Sequence, residues 1–242
     1  FKMKVTAIIP ARYASSRLPG KVLKDICGKT MIQRVYEQVK QAHNLDQVIV
    51  ATDDQRVYQE VESFGGQVEM TAQEHTTGTD RLAEVAADLD SDIIVNVQGD
   101  EPLLNPAMID QAVKPLLEDP ELKMSTLKHQ ITDEGELEDP NSVKVITDKD
   151  DFALYFSRSL IPYPRTEQEL SYYKHIGLYV YRRQFLLDYT NLAPTSLEKK
   201  ESLEQLRALE NGYKIKVVET EHQVVGVDTE EDLEKVRKAV RQ

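Results

Sequence analysis

Over the first half of the chain, short β-branched apolar runs alternate with segments of helical period, and that rhythm constrains the fold more than any other feature. Val5 to Ile9 is such a run, closed by Pro10, as a buried strand ending at a loop should be. Met31, Val35 and Val39 then share one face, with Ile32 and Tyr36 beside them, which predicts a helix from Met31 to about Gln41. Val48 to Ala51 reads as the next strand. Val57, Val61 and Phe64 repeat the helical spacing until Gly65-Gly66 ends it, ahead of a short strand at Val68 to Met70. Thr79 is expected to cap a helix from Asp80 to Leu89. Ile93 to Val97 reads as a fully buried strand, and Pro106 opens a helix reaching Leu117. Alternation of this kind builds a parallel sheet covered by helices.

The pattern changes between Met124 and Tyr181. Strand-like pieces at Val143 to Thr147, Ala153 to Phe156 and Gly177 to Tyr181 are separated by turn-rich or charged stretches, so an inserted, partly antiparallel region is expected at about 124–190. Helical spacing returns at Leu203, Leu206 and Leu209, ended by Gly212, and a strand follows at Ile215 to Val218. The closing helix should start at Thr229, with Asp232 completing a capping box, and bury Leu233, Val236 and Val240. With 242 residues and 40% hydrophobic content, one α/β domain over 3–242 can bury a sizeable core. Phe1 and Lys2 stand ahead of Met3 and are set aside from this reading.

Charge and cysteine content narrow the function. A formal net charge of -12 argues against broad nucleic-acid binding, since a groove that neutralises phosphates needs clustered Lys and Arg. Any phosphate site must be local. Cys27 is the single cysteine, which rules out an intrachain disulfide and a cysteine-built zinc site and fits a reducing compartment. No apolar run reaches the ~20 residues of a membrane-spanning helix, so a cytoplasmic location without membrane insertion is the expectation.

The stretch from Pro10 to Lys21 places Arg12, Arg17 and Lys21 directly after the first strand of an acidic chain. Arginine forks and a lysine point charge suit a triphosphate, and small residues let backbone N–H groups approach phosphate oxygens. By composition alone a solvated basic loop fits equally well. Gly28-Lys29-Thr30 looks like the end of a P-loop, but Leu23 stands where the earlier glycine must be, and there is no G-x-G-x-x-G. Gly28 is therefore read as a turn and Thr30 as a helix cap.

Four further stretches carry candidate chemistry. Asn96 to Pro102 lies at the C-terminal end of the most hydrophobic strand, the edge where open α/β sheets bind ligands, and a carboxylate there can hold Mg²⁺. An acidic turn is the plain alternative. Val225 to Thr229 puts Asp228 where a strand gives way to a helix, a position that by itself suits a helix-start residue better than a ligand, although two aspartates from distant segments meeting at one sheet edge can share a metal. His75 to Arg81 is a small polar loop entering a helix, able to contact a base or ribose or simply to cap. Tyr173 to Tyr179 brings His175 to the entrance of a strand. No zinc-binding spacing accompanies that histidine, and a structural role is open to it.

Taken in order, these stretches resemble the 3-deoxy-manno-octulosonate cytidylyltransferase family. The carriers are Pro10-Ala11-Arg12 with Ser15, Arg17, Pro19 and Lys21, then Val95 to Pro102, and Gly226-Val227-Asp228-Thr229. Phe156-Ser157-Arg158, His175 to Tyr179 and Leu203 to Arg207 add to them. The resemblance covers essentially the chain from Val5 to the final helix.

It implies a nucleotide-diphospho-sugar transferase-like fold: a three-layer α/β/α body with a mixed, mainly parallel central sheet and an inserted, partly antiparallel dimerisation region. The implied reaction joins CTP and 3-deoxy-D-manno-octulosonate (Kdo) to give CMP-Kdo and pyrophosphate, for lipopolysaccharide or capsule biosynthesis, in a homodimer using Mg²⁺. By the same resemblance Arg12, Arg17 and Lys21 hold the triphosphate, and Asp100 and Asp228 ligate Mg²⁺. Catalysis would rest on Lys21, Arg12, Asp100 and Asp228. Ala11, Thr52, Asp53, Thr79 and Gln98 complete the nucleotide set. Gln98, Arg158, His175, Tyr179, Glu204 and Gln205 meet the sugar. Two departures stand out: Thr77 replaces the serine of an H-x-S-G-T motif, and the stretches Pro164 to Tyr172 and Glu219 to Val225 are short. Transfer to a related acidic sugar, such as 8-amino-Kdo or a sialic acid, is the nearest alternative. A non-catalytic nucleotide-binding module would be expected to lose a metal carboxylate.

Overall fold

The computed structural model describes residues 2–15, 17–166 and 171–241. Two units make up the chain: the first comprises residues 1–110 and 223–242, the second 111–222. The second is thus inserted between two pieces of the first.

In the first unit β1 (Val5–Pro10) leads to the basic loop and a single 3₁₀ turn at Lys21–Leu23. Two short strands, β2 (Asp25–Ile26) and β3 (Lys29–Thr30), form a hairpin whose turn residues Cys27 and Gly28 have φ of 53° and 82°. Then follow α1 (Met31–Val39), β4 (Gln47–Thr52), α2 (Gln55–Ser63), β5 (Val68–Met70), α3 (Gly78–Ala87) and β6 (Ile93–Asn96). Helix α4 (Pro106–Glu118) carries the chain into the second unit. As expected, Thr30 caps α1, its Oγ1 accepting from Gln33 N at 3.3 Å.

All pairings in this unit's main sheet are parallel: β1 lies between β4 and β6, and β5 is beyond β4. The chain moves outward from β1 to β5 and then crosses back to β6 on the other side of β1. Strand order reverses between β1 and β6, so the connections leaving their C-terminal ends turn opposite ways, the topological switch point where such sheets bind ligands. The basic loop leaves β1 there, and Val97 to Pro102 leave β6 beside it.

One cap differs from expectation. Thr77, not Thr79, begins α3: its Oγ1 accepts from Asp80 N at 3.0 Å, while Asp80 Oδ2 accepts from Thr77 N at 3.2 Å. Thr79 lies within the helix and is buried. Asp80, three residues after Thr77, closes the reciprocal box that a cap at 79 lacks.

The second unit holds β7 (Met124–Gln130), α5 (Gly135–Glu138), β8 (Lys144–Thr147), β9 (Ala153–Ser157) and β10 (Tyr173–Arg182). Next come α6 (Arg183–Thr190), α7 (Ser196–Glu201), α8 (Leu206–Glu210) and β11 (Lys216–Glu219). Strand β10 pairs antiparallel with β7 and β8, β8 antiparallel with β9, and β11 parallel with β7. The partly antiparallel character matches the expectation, but β7 and helices α5 to α7 go beyond it, and β10 starts four residues before Gly177. The register of β10 against β7 shifts between Ile176 and Tyr179.

The chain returns to the first unit for α9 (Glu230–Arg241). Thr229 and Asp232 form the expected capping box there, with Asp232 N donating to Thr229 Oγ1 at 3.2 Å and Thr229 N to Asp232 Oδ2 at 3.0 Å. Leu233, Val236 and Val227 pack with Leu18, Ile26 and Met31 in one buried cluster, and Val240 borders it. That cluster brings the two ends of the chain's sequence together.

Candidate active site

The basic loop is shaped by its own backbone. Gly20, with φ 66°, donates its N–H to Tyr13 O at 3.2 Å and starts the 3₁₀ turn that carries Lys21. Lys21 Nζ lies 2.6 Å from Asp100 Oδ2 and 3.1 Å from Asp228 Oδ1. Three charges from segments up to 207 residues apart thus meet at one point. Asp228 follows the buried Val227, whose N donates to Asp100 O at 2.9 Å, so backbone pairing sets the spacing of the two carboxylates. Partial burial opposes the charge on Lys21, but Asp100 and Asp228 outweigh it and raise the lysine pKa above its ordinary value. Arg17 adds a more exposed contact, Nη2 to Asp228 Oδ1 at 3.1 Å.

Beside this cluster is a recess of about 300 Å³ lined by Pro10, Arg12, Ala14, Ser15, Lys21, Val22, Gly78, Gln98, Gly99 and Asp100. Its back wall is tight: a Cβ on Gly99 would sit 2.8 Å from Pro10 O. Arg12 reaches across to His75, its Nη2 donating to the carbonyl at 2.6 Å. Ala11 is fully buried and donates its N–H to Ala51 O at 2.8 Å. Ser16 lies outside the described residues. Glu101 is buried, with Oε2 unpartnered among the described residues; burial and the neighbouring Asp100 charge push its pKa up to about 8. It is thus mainly protonated at neutral pH and adds little charge beside Asp100.

Thr52, Asp53 and Thr79 are not in the recess lining. Thr52 is fully buried, with its carbonyl accepting from Thr71 N at 2.8 Å. Asp53 Oδ2 accepts from Arg81 Nη2 at 2.7 Å, and Arg81, itself without solvent exposure, also donates to Thr71 Oγ1.

The second unit gathers the other candidates. The His175 ring packs edge-on against Phe156, centroids 4.9 Å apart, and tilted against Tyr179 at 5.3 Å. Burial holds the His175 pKa down at about 3, keeping the ring neutral. Burial and then the Glu204 charge push the Tyr179 hydroxyl well above its ordinary range. Glu204 O accepts from Tyr189 Oη at 2.6 Å, and Gln205 is buried. Arg158 turns to backbone: Nε donates to Glu201 O at 2.7 Å, Nη1 to Pro140 O at 2.8 Å and Nη2 to Ser202 O at 3.3 Å. Three carbonyls thus compete with any carboxylate for this guanidinium. Within the short Pro164 to Tyr172 stretch, residues 167–170 lie outside the described residues.

Among the described residues no three His, Cys, Asp or Glu side chains converge as a metal site. The Asp100 and Asp228 pair nonetheless fits a hard cation, because both carboxylates reach one point now held by the Lys21 ammonium. Mg²⁺ is commonly bound by one or two carboxylates together with substrate phosphates and water.

The cytidylyltransferase family model matches residues 6–215. The 3-deoxy-manno-octulosonate cytidylyltransferase of Geotalea uraniireducens is 59% identical, over 97% of this chain and 98% of that protein. The chain belongs to the 3-deoxy-manno-octulosonate cytidylyltransferase family. The Geobacter sulfurreducens member is 56% identical over the same shares of the two chains. A solved CMP:2-keto-3-deoxy-manno-octonic acid synthetase complexed with CTP is 47% identical, with a TM-score of 0.95 and 99% of each chain covered. The protein is a nucleotidyltransferase of this family, with the α/β nucleotide-diphospho-sugar transferase-like fold and its mixed, mainly parallel central sheet.

Two side chains escaped the sequence reading of this cytidylyltransferase. Arg81 ends the polar stretch from His75, but nothing in the sequence marks it as buried or as the partner of Asp53. Thr126, which contacts His175 Nε2 at 2.8 Å, lies in a strand too polar to be read as one.

Proposed function

We propose that the chain transfers CMP from CTP to the anomeric hydroxyl of 3-deoxy-D-manno-octulosonate, releasing pyrophosphate. The observation that carries this reading is the meeting of Lys21 with Asp100 and Asp228 beside a recess at the β1/β6 switch point. The close relatives' names supply the substrates.

In this reading Arg12, Arg17 and Lys21 receive the triphosphate, with Lys21 at the α-phosphate. Arginine forks spread over the phosphate oxygens, while the compact lysine charge meets the negative charge that grows at phosphorus in the transition state. Thr52, Asp53, Thr79 and nearby backbone belong to base and ribose recognition, Ala11 and Gln98 complete the nucleotide set, and Asp53 is held for its role by Arg81. Asp100 and Asp228 would hold Mg²⁺. When bound, such an ion would neutralise phosphate charge and make the attacking sugar hydroxyl more acidic. The anomeric oxygen, giving up its proton to solvent, displaces pyrophosphate in line at the α-phosphorus, so the protein contributes positioning and electrostatics, with no covalent intermediate. Gln98, Arg158, His175, Tyr179, Glu204 and Gln205 recognise Kdo.

Among the described residues no helix is long and apolar enough to cross a membrane. A cytoplasmic reaction, where CTP is made, fits the reading. A homodimer through the second unit also belongs to it, and Leu154 on β9, 59% exposed, supplies apolar surface for one.

The test is a pyrophosphate-release panel crossing CTP, UTP and ATP with Kdo, 8-amino-Kdo and N-acetylneuraminate in the presence of Mg²⁺. CTP with Kdo is expected to be fastest. Preference for another pair, or no release with Kdo, contradicts the proposal.

A further inference from the structure

Thr126 meets three polar atoms at once in the bulge of β10. Its Oγ1 lies 2.8 Å from Leu178 O, 3.1 Å from Ile176 O and 2.8 Å from His175 Nε2. A hydroxyl has one hydrogen and two lone pairs, and carbonyl oxygens can only accept. If that hydrogen went to the imidazole, two carbonyl oxygens would face the hydroxyl oxygen at close range with no proton between them. If it goes to the carbonyls, the hydroxyl must accept from the ring, and Nε2 must carry the proton.

We infer that Thr126 fixes His175 as the neutral Nε2–H tautomer, so that Nδ1 presents a lone pair as a ready-made acceptor for a hydroxyl of the bound sugar. Nδ1 has no hydrogen-bond partner among the described residues. The ring is also held in orientation, edge-on to Phe156 and tilted against Tyr179. Its burial disfavours the imidazolium and keeps the lone pair available. A neutral acceptor cannot attract the carboxylate of an acidic sugar, so His175 serves hydroxyl recognition and the carboxylate must be met elsewhere. Thr126 is in these terms a positioning residue, acting through the ring.

This inference rests on the proposed placement of Kdo at His175, and two measurements separate its parts. In the first, long-range ¹H–¹⁵N correlation spectra of the ¹⁵N-histidine-labelled protein, between pH 6 and 8, should show His175 with Nε2 protonated and Nδ1 bare. A signal from Nδ1–H or from the imidazolium in that range overturns the tautomer, whatever the substrate. The second is steady-state kinetics of Thr126→Val with Kdo and CTP, read beside Thr126→Ser. Loss of one orienting hydrogen bond should raise the KM for Kdo about fivefold. The KM for CTP should stay unchanged, and Thr126→Ser should stay near wild type. An unchanged Kdo KM in Thr126→Val, with the spectra as expected, overturns the acceptor role alone. Wild type that does not turn over Kdo counts against the proposed function and also removes the acceptor role.

Discussion

Arg81 buries its whole guanidinium against Asp53, Nη2 to Oδ2 at 2.7 Å, although Arg81 has no solvent exposure and Asp53 keeps 19%. Its Nε is buried and unpartnered among the described residues. Such a pair adds little net stability over an apolar replacement, yet removing one partner leaves an uncompensated charge. Arg81→Ala should therefore cost about 3–5 kcal/mol in urea denaturation. It should also raise the KM for CTP, because Asp53 loses the group that orients it. An Arg81→Ala protein with a normal urea midpoint would refute the structural part.

The backbones of Gly99 and Pro10 approach too closely for any side chain, since a Cβ on Gly99 would lie 2.8 Å from Pro10 O. Gly99→Ala must push the two loops apart, at about 1–3 kcal/mol. Gly78, facing the same proline, is the control: its Cβ would meet Pro10 Cγ at 3.5 Å, an ordinary contact, and it sits in a helix. Gly78→Ala should leave thermal stability unchanged or raise it by about 0.4–1 kcal/mol. Equal behaviour of the two variants in a melting comparison would contradict the close approach.

Stability should respond to acid through His175. Its folded pKa, about 3, is below the ordinary 6.5, so the unfolded chain binds a proton that the folded one refuses between those values. Stability is complete above pH 6.5 and falls as the pH drops through that window, by about 1.4 kcal/mol per pH unit for one proton. His175→Gln removes the titration. From pH 6.5 to 4.5 the wild-type stability should decline relative to that variant by about 2–3 kcal/mol in urea midpoints scaled by m. A constant difference across this range would show that the ring is accessible to protons.

How far these features could be read from sequence depended on what buries each segment. Strands β1, β4 and β6 were legible because apolar β-branched residues fill them, and α1 and α2 because their apolar residues fall at helical spacing. Strand β7 was not. Ser125, Thr126, Lys128 and His129 are buried in it through side-chain hydrogen bonds, Ser125 to Ala112 O at 2.6 Å and His129 to Thr220 O at 2.9 Å, so its sequence reads as surface. Helix α7 has no buried residue, and hydropathy gives no hint of it. In the site, Lys21 was visible in the basic loop after β1 and Asp100 just beyond the end of β6. That Asp228 joins them depends on the Leu18, Ile26, Met31, Val227, Leu233 and Val236 cluster, a long-range packing event that no local pattern encodes. The strand-end positions of the two aspartates allowed them to meet at one sheet edge, and the family resemblance chose that arrangement over a plain helix-start role for Asp228.

The account stands or falls on Asp100 as a reacting-centre carboxylate. The direct measurement is pyrophosphate release from CTP and Kdo by Asp100→Asn, with melting temperature and far-UV dichroism confirming the fold. On the proposed metal-holding role, losing this carboxylate should lower kcat by about 10²–10³ or more, the scale of removing one transition-state contact. A folded Asp100→Asn protein that turns over within a few-fold of wild type would contradict the assignment.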